Sequence, residues 1–73
     1  MDLCDVIKAI RTELGLSQEV FAQKLHVHFS TVNRWENGHA KPNPLAIAML
    51  TNLCNEATIR KDLIRALTEK AKQ

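Results

Sequence analysis

Ser30, Asn33, Arg34 and Asn37 fall on one flank of a short helical segment, with Phe29 at its leading edge, when positions are stepped at 100° per residue from Val32 and Trp35. These side chains can read nucleotide edges. Arginine forks onto the two acceptors of guanine, asparagine pairs with adenine, serine serves either role, and an apolar ring covers a thymine methyl. A polar flank is also what any solvated helix shows, so the surrounding chain has to decide between the two readings.

The elements that would hold this segment are marked by two glycines and two prolines. Leu3, Val6, Ile7, Ile10 and Leu14 recur at helical intervals, and Gly15 supplies the left-handed residue that closes a helix, predicted over about residues 2–14. Ser17 is suited to cap a second helix, Glu19 puts negative charge in its first turn, and Leu16 and Phe21 occupy the two positions of a hydrophobic staple. The apolar period breaks at Leu25-His26-Val27-His28, and a third helix fits Phe29 to Asn37, closed by Gly38. Asn43 and Pro44 then suit the cap and first position of a fourth helix, predicted to about Cys54. Ile59, Leu63, Ile64 and Leu67 line one stripe of a fifth, predicted over about 57–70. No stretch alternates with period two, so the expected fold is all-α: a compact bundle of five short helices forming a single domain over residues 1–73.

Within it, two short helices over about 17–37 are separated by three to four residues, the spacing of a helix-turn-helix. Phe21, Leu25, Val27, Val32 and Trp35 are expected to bury against the first helix, and small Ala22 allows a close crossing. These elements, as an ordered set, carry a resemblance: Leu14-Gly15-Leu16-Ser17-Gln18, Phe21-Ala22-Gln23-Lys24-Leu25, Thr31-Val32-Asn33-Arg34-Trp35-Glu36-Asn37-Gly38 and Lys41-Pro42. Over roughly residues 5–55 the chain resembles the phage-repressor-like (Cro/repressor, XRE-type) helix-turn-helix family.

The resemblance implies a lambda-repressor-like fold, with the motif's second helix in the major groove of double-stranded DNA. It implies base contacts by Phe29, Ser30, Asn33 and Arg34. It implies phosphate contacts by Gln18, which also braces the reading helix, and by Asn37, His39 and Lys41 in the loop that follows. Arg11 and Glu36 match a pair that joins the first helix to the reading helix in that family. Homodimers on palindromic sites are the usual assembly, and the stripe of the fifth helix is expected either at a dimer seam or in the monomer core. The alternative is a protein-interaction module or antitoxin-type subunit with a repressor-like fold. Two positions depart from the pattern. His26 stands where the family has glycine, at a cost of roughly 1–2 kcal/mol for a left-handed residue, and His28 replaces the expected Ser or Thr cap.

Composition sets outer bounds on the reading. The 73 residues are 45% hydrophobic and 25% charged, which fits a folded chain with one small core. Net charge is only +2, but residues 1–38 carry four basic and five acidic groups, against six and three in residues 39–73. Cys4 and Cys54 are read as reduced core thiols of a cytoplasmic protein. No apolar run is long enough for a membrane span, and no signal peptide is visible. Glu13, Glu19 and Glu36 lack a partnered base or nucleophile, so no enzymatic activity and no cofactor is expected. His26, His28 and His39 lack the spacing of a metal site. Their protonation in mildly acidic solution is expected instead to add positive charge near phosphates and tighten binding, which dissociation constants at about pH 5.5 and 7.5 would check.

Overall fold

A computed structural model describes residues 2–71. Its helices are α1 (Leu3–Glu13), α2 (Gln18–Leu25), α3 (Phe29–Glu36), α4 (Pro44–Glu56) and α5 (Lys61–Ala71), with no strand among the described residues. The all-α repressor-like expectation is met, and no helix among the described residues is long and apolar enough to cross a membrane.

The starts follow from local chemistry. The Ser17 hydroxyl accepts from Val20 N–H at 3.1 Å, and Asn43 Oδ1 accepts from Ala46 N–H at 2.8 Å, with Pro44 in the first helical turn. Each cap satisfies a backbone donor that the helix itself leaves unpaired. His28 precedes α3 in extended geometry and makes no side-chain cap bond, as the loss of a hydroxyl there predicts.

The ends share one device. After each of α1, α2, α3 and α4 a residue with positive φ turns the chain: Gly15, His26, Gly38 and Thr58, at 71°, 57°, 75° and 56°. In every case two backbone bonds close the turn, as in Leu16 N–H to Arg11 O (3.2 Å) with Gly15 N–H to Thr12 O (2.9 Å). This is the Schellman arrangement, which pairs the last free carbonyls of a helix.

At Thr58 the structure corrects the sequence reading. Helix α4 runs two residues past Cys54, and residues 57–60 form a turn instead of opening the last helix. Ile59 N–H reaches Cys54 O at 3.0 Å, which swings the Ile59 side chain into the core as a loop residue, buried to 8% exposure. Its apolar character therefore continued the helical period across a break that no glycine marks.

Packing runs α1 on α5 and α3, α2 on α3 and α4, and α4 on α5. Val6, Ile7, Ile10, Phe21, Val32, Leu50 and Leu67 are fully buried at the centre. Leu63 and Leu67 of α5 lie in this core, which is where one of the two expectations for the helix placed them. Cys54 is a core thiol, whereas Cys4 is only half-buried. It sits near the α3 end, with Sγ 3.9 Å from where a Gly38 Cβ would stand, because its place near the start of α1 turns it toward the rim. Val27, expected inside, is also half-buried, since the turn at His26 carries it to the edge of α2.

Candidate nucleic-acid interface

Helix α3 is fixed from one side. Val32 is fully buried, Trp35 is 4% exposed, and Glu36 is buried beside them. The opposite flank carries Ser30 and Arg34, both exposed, while Phe29, the first residue of the helix, is 48% exposed at its leading edge. An aromatic ring left half in water has apolar surface to cover. Among the described residues Arg34 enters no ion pair. Exposed in the last turn of α3, its guanidinium has no acceptor among the described residues.

Glu36 is the buried charge that organises this face. Its side chain is 1% exposed, and its carboxylate accepts Arg11 Nε at 2.7 Å and Arg11 Nη2 at 3.1 Å. The two-pronged geometry matches the planar fork of arginine. Arg11 Nη1 also donates to Leu16 O at 2.9 Å, tying the α1–α2 corner to the same point. The hydrogen bonds to Glu36 raise the Arg11 guanidinium above its ordinary value against the opposing effect of burial, so the guanidinium keeps its charge.

From Glu36 a chain of amides runs outward along the surface. Gln18 Nε2 donates to Glu36 Oε1 at 3.0 Å, Asn33 Nδ2 donates to Gln18 Oε1 at 3.3 Å, and Asn37 Nδ2 donates to Asn33 Oδ1 at 3.1 Å and Asn33 O at 2.9 Å. A carboxylate only accepts, so the Gln18 end facing it must be the NH2 group. That leaves the Gln18 oxygen for Asn33, which must present its own NH2 group, and the Asn33 oxygen for Asn37. One buried charge therefore orients three surface amides in series.

Most of the expected site residues are open to solvent. Phe29, Ser30, Arg34, Asn37, His39 and Lys41 are exposed, and Gln18 and Asn33 are half-buried within the amide chain. His39 N–H closes α3 on Arg34 O at 2.9 Å, which fixes where the loop toward Lys41 begins. Sequence reasoning had Gln18 brace the reading helix but did not name Asn33 as its partner there, treating Asn33 as a reader. The Asn33–Asn37 bond was signalled by their i, i+4 spacing.

Comparison with known proteins agrees with this geometry. A family model described as helix-turn-helix matches residues 7–60, most of the chain. The protein belongs to this repressor-like, XRE-type DNA-binding family. Over 46 residues the chain is 39% identical to Antitoxin HigA-2 of Vibrio cholerae serotype O1 (strain ATCC 39315 / El Tor Inaba N16961). That alignment covers 63% of this chain and 44% of the relative, so the match spans less than half the relative's length. No solved structure matches.

Proposed function

We propose that this helix-turn-helix protein binds specific double-stranded DNA sequences and regulates transcription, with α3 in the major groove. One observation supports the reading above the others: α3 is anchored by Val32, Trp35 and Glu36 while Ser30 and Arg34 stand exposed on the opposite flank and Phe29 is exposed at the start of the helix. Arg34 suits guanine, Ser30 is adaptable, and the Phe29 ring suits a thymine methyl. Asn33 contributes chiefly by holding the helix, with one amide hydrogen left for an acceptor outside the chain.

Gln18, Asn37, His39 and Lys41 would flank the groove and meet phosphates. Gln18 stands at the first position of α2, where unpaired backbone N–H groups also favour an anion. Such contacts supply affinity and register, whereas the α3 flank supplies discrimination. The chain would act without a catalytic step or cofactor.

Selection of bound duplexes from a random pool tests this reading. One recurring motif should emerge, and its affinity should fall steeply as salt rises. A pool that never converges, or binding indifferent to salt, would reject it.

Similarity to an antitoxin over 46 residues supports a second reading, in which an antitoxin-type subunit binds DNA and also contacts a partner protein.

A further inference from the structure

Helices α2, α3 and α4 do not close completely around the loop that follows α3. They leave a groove of about 410 Å³, within the size range of small-molecule sites. Its walls are apolar: Leu25 and Val27 from the end of α2 and its turn, Trp35 from α3, and Leu45, Ala46 and Met49 from α4. Leu45 is 70% exposed, so this wall has apolar surface that the chain itself does not cover.

The polar groups along the groove share one character. His26, Thr31, Lys41 and Asn43 line it, and no aspartate or glutamate among the described residues does. Asn43 Oδ1 already accepts from Ala46 N–H at 2.8 Å, so the end of that amide left for a ligand is the NH2 group. A lysine only donates, and a threonine hydroxyl can turn its proton outward. An apolar trough edged by donors and a cation, with no acid, complements an apolar body that ends in an anion. The space equals roughly one turn of a helix 10–12 Å across, which favours a small molecule over a partner helix.

We propose that this groove is an effector site for a small amphipathic anion, a carboxylate on an alkyl or aryl body, and that its occupancy opposes DNA binding. The site stands on its own lining, whereas its coupling to DNA rests on the proposed DNA reading. Lys41, expected at a phosphate, also lines the groove, so the ligand's carboxylate and the phosphate draw on one cation. Thr31 and Trp35 belong to α3, so a ligand seated there lies against the helix that presents Ser30 and Arg34. Linkage then requires ligand and DNA to weaken each other by the same factor.

Sodium octanoate is the probe, with octylamine as the matched cation and sodium acetate as the anion without a tail. Amide resonances of the isotope-labelled full chain should shift saturably with octanoate at Leu25, Val27, Thr31 and Met49, with a dissociation constant of roughly 0.1–1 mM. Trp35, the one tryptophan of the chain, should change its fluorescence over the same range. Neither control should reproduce these changes. Leu45→Glu leaves the core untouched and favours the first turn of α4. By setting a carboxylate at the mouth of the groove it should weaken octanoate roughly tenfold. Saturating octanoate should lower affinity for the selected duplex roughly fivefold or more, relative to acetate at equal concentration.

Shifts that octylamine matches, that Leu45→Glu leaves unchanged, or that stay absent up to about 10 mM octanoate would overturn the site. So would shifts of the same residues on raising protein concentration alone, which would mean that a second copy covers the groove. Octanoate bound here with duplex affinity unchanged would overturn the effector role. A chain that binds octanoate and no duplex would sink the DNA reading, and the effector role with it, while upholding the site.

Discussion

Gln18 and Asn33 are joined by a hydrogen bond of 3.3 Å that links the start of α2 to the middle of α3. Its direction is dictated from within, since Glu36 holds the Gln18 NH2 group and leaves only oxygen for Asn33. Asn33→Asp would oppose two oxygens across this contact, while Asn33→Ala merely removes a donor. The expected order of DNA affinity is therefore wild type, then Asn33→Ala, then Asn33→Asp. Each variant should lose no more than about 1–2 kcal/mol of stability, because the contact lies at the surface. Fluorescence anisotropy with labelled duplex and urea unfolding of the same samples check the two halves of this expectation.

Arg11 and Glu36 form the structural counterpart beneath that contact. Removing Arg11 strands a carboxylate whose side chain is 1% exposed, although Arg11 itself is 20% exposed and water would replace it in part. Arg11→Ala should cost about 3 kcal/mol, the low end for breaking a buried pair. Arg11→Met combined with Glu36→Leu should recover much of that loss, because it removes both charges together. Urea unfolding measures stability in each variant. DNA affinity should still fall in the double variant, since Gln18 loses the carboxylate that orients it.

Thr58 and His26 carry the two left-handed turns that no glycine announces. Thr58 is β-branched at φ 56°, a costlier fit than His26 at φ 57°. Thr58→Gly should stabilise the protein by about 1 kcal/mol and His26→Gly by about half of that, after the added freedom of glycine in the unfolded chain is subtracted. Thermal unfolding should register the larger gain as a rise in Tm of about 4–8 °C.

These same turns show what was legible in the sequence and why the rest was not. Gly15 and Gly38 announced the ends of α1 and α3, and Asn43-Pro44 the start of α4. Thr58 announced nothing, because its conformation is imposed by Ile59 seeking the core and not by its own preference. The separation between the buried and exposed flanks of α3 could be read from Val32 and Trp35 by helical geometry alone. That Gln18 braces the reading helix came from the resemblance, but its partner Asn33 was hidden, since the two meet only after α2 and α3 cross and their order depends on a charge buried elsewhere. The exposure of Leu45 was likewise hidden, because an apolar residue in a helical pattern reads as core until its exposure is known.

Cys54 couples the core to pH. Its thiol is fully buried, and burial pushes its titration above the ordinary value. Below the ordinary thiol range, near 8.5, folded and unfolded chains both keep the proton and stability is unaffected. As pH rises through that range the unfolded thiol ionises first, so stability should fall, by at most about 1.4 kcal/mol per pH unit. Urea midpoints of Cys4→Ser should drop between about pH 7.5 and 9.5, whereas Cys4→Ser/Cys54→Ala, though less stable throughout, should show a smaller drop.

Arg34 and Lys41 separate discrimination from affinity. Arg34 projects from the flank of α3, and Lys41 is exposed in the loop beyond it. If the first meets a base and the second a phosphate, their loss should leave different signatures. Arg34→Ala should cost about 1–3 kcal/mol on the preferred duplex and much less on one altered at a single base pair, flattening preference there. Lys41→Ala should weaken every sequence alike and reduce the slope of log affinity against log salt by about 0.9. Titrations of both variants against matched and altered duplexes at several salt concentrations distinguish these outcomes. Equal losses on both duplexes from both substitutions would mean that Arg34 also grips the backbone, and base reading would then have to come from Ser30 and Phe29.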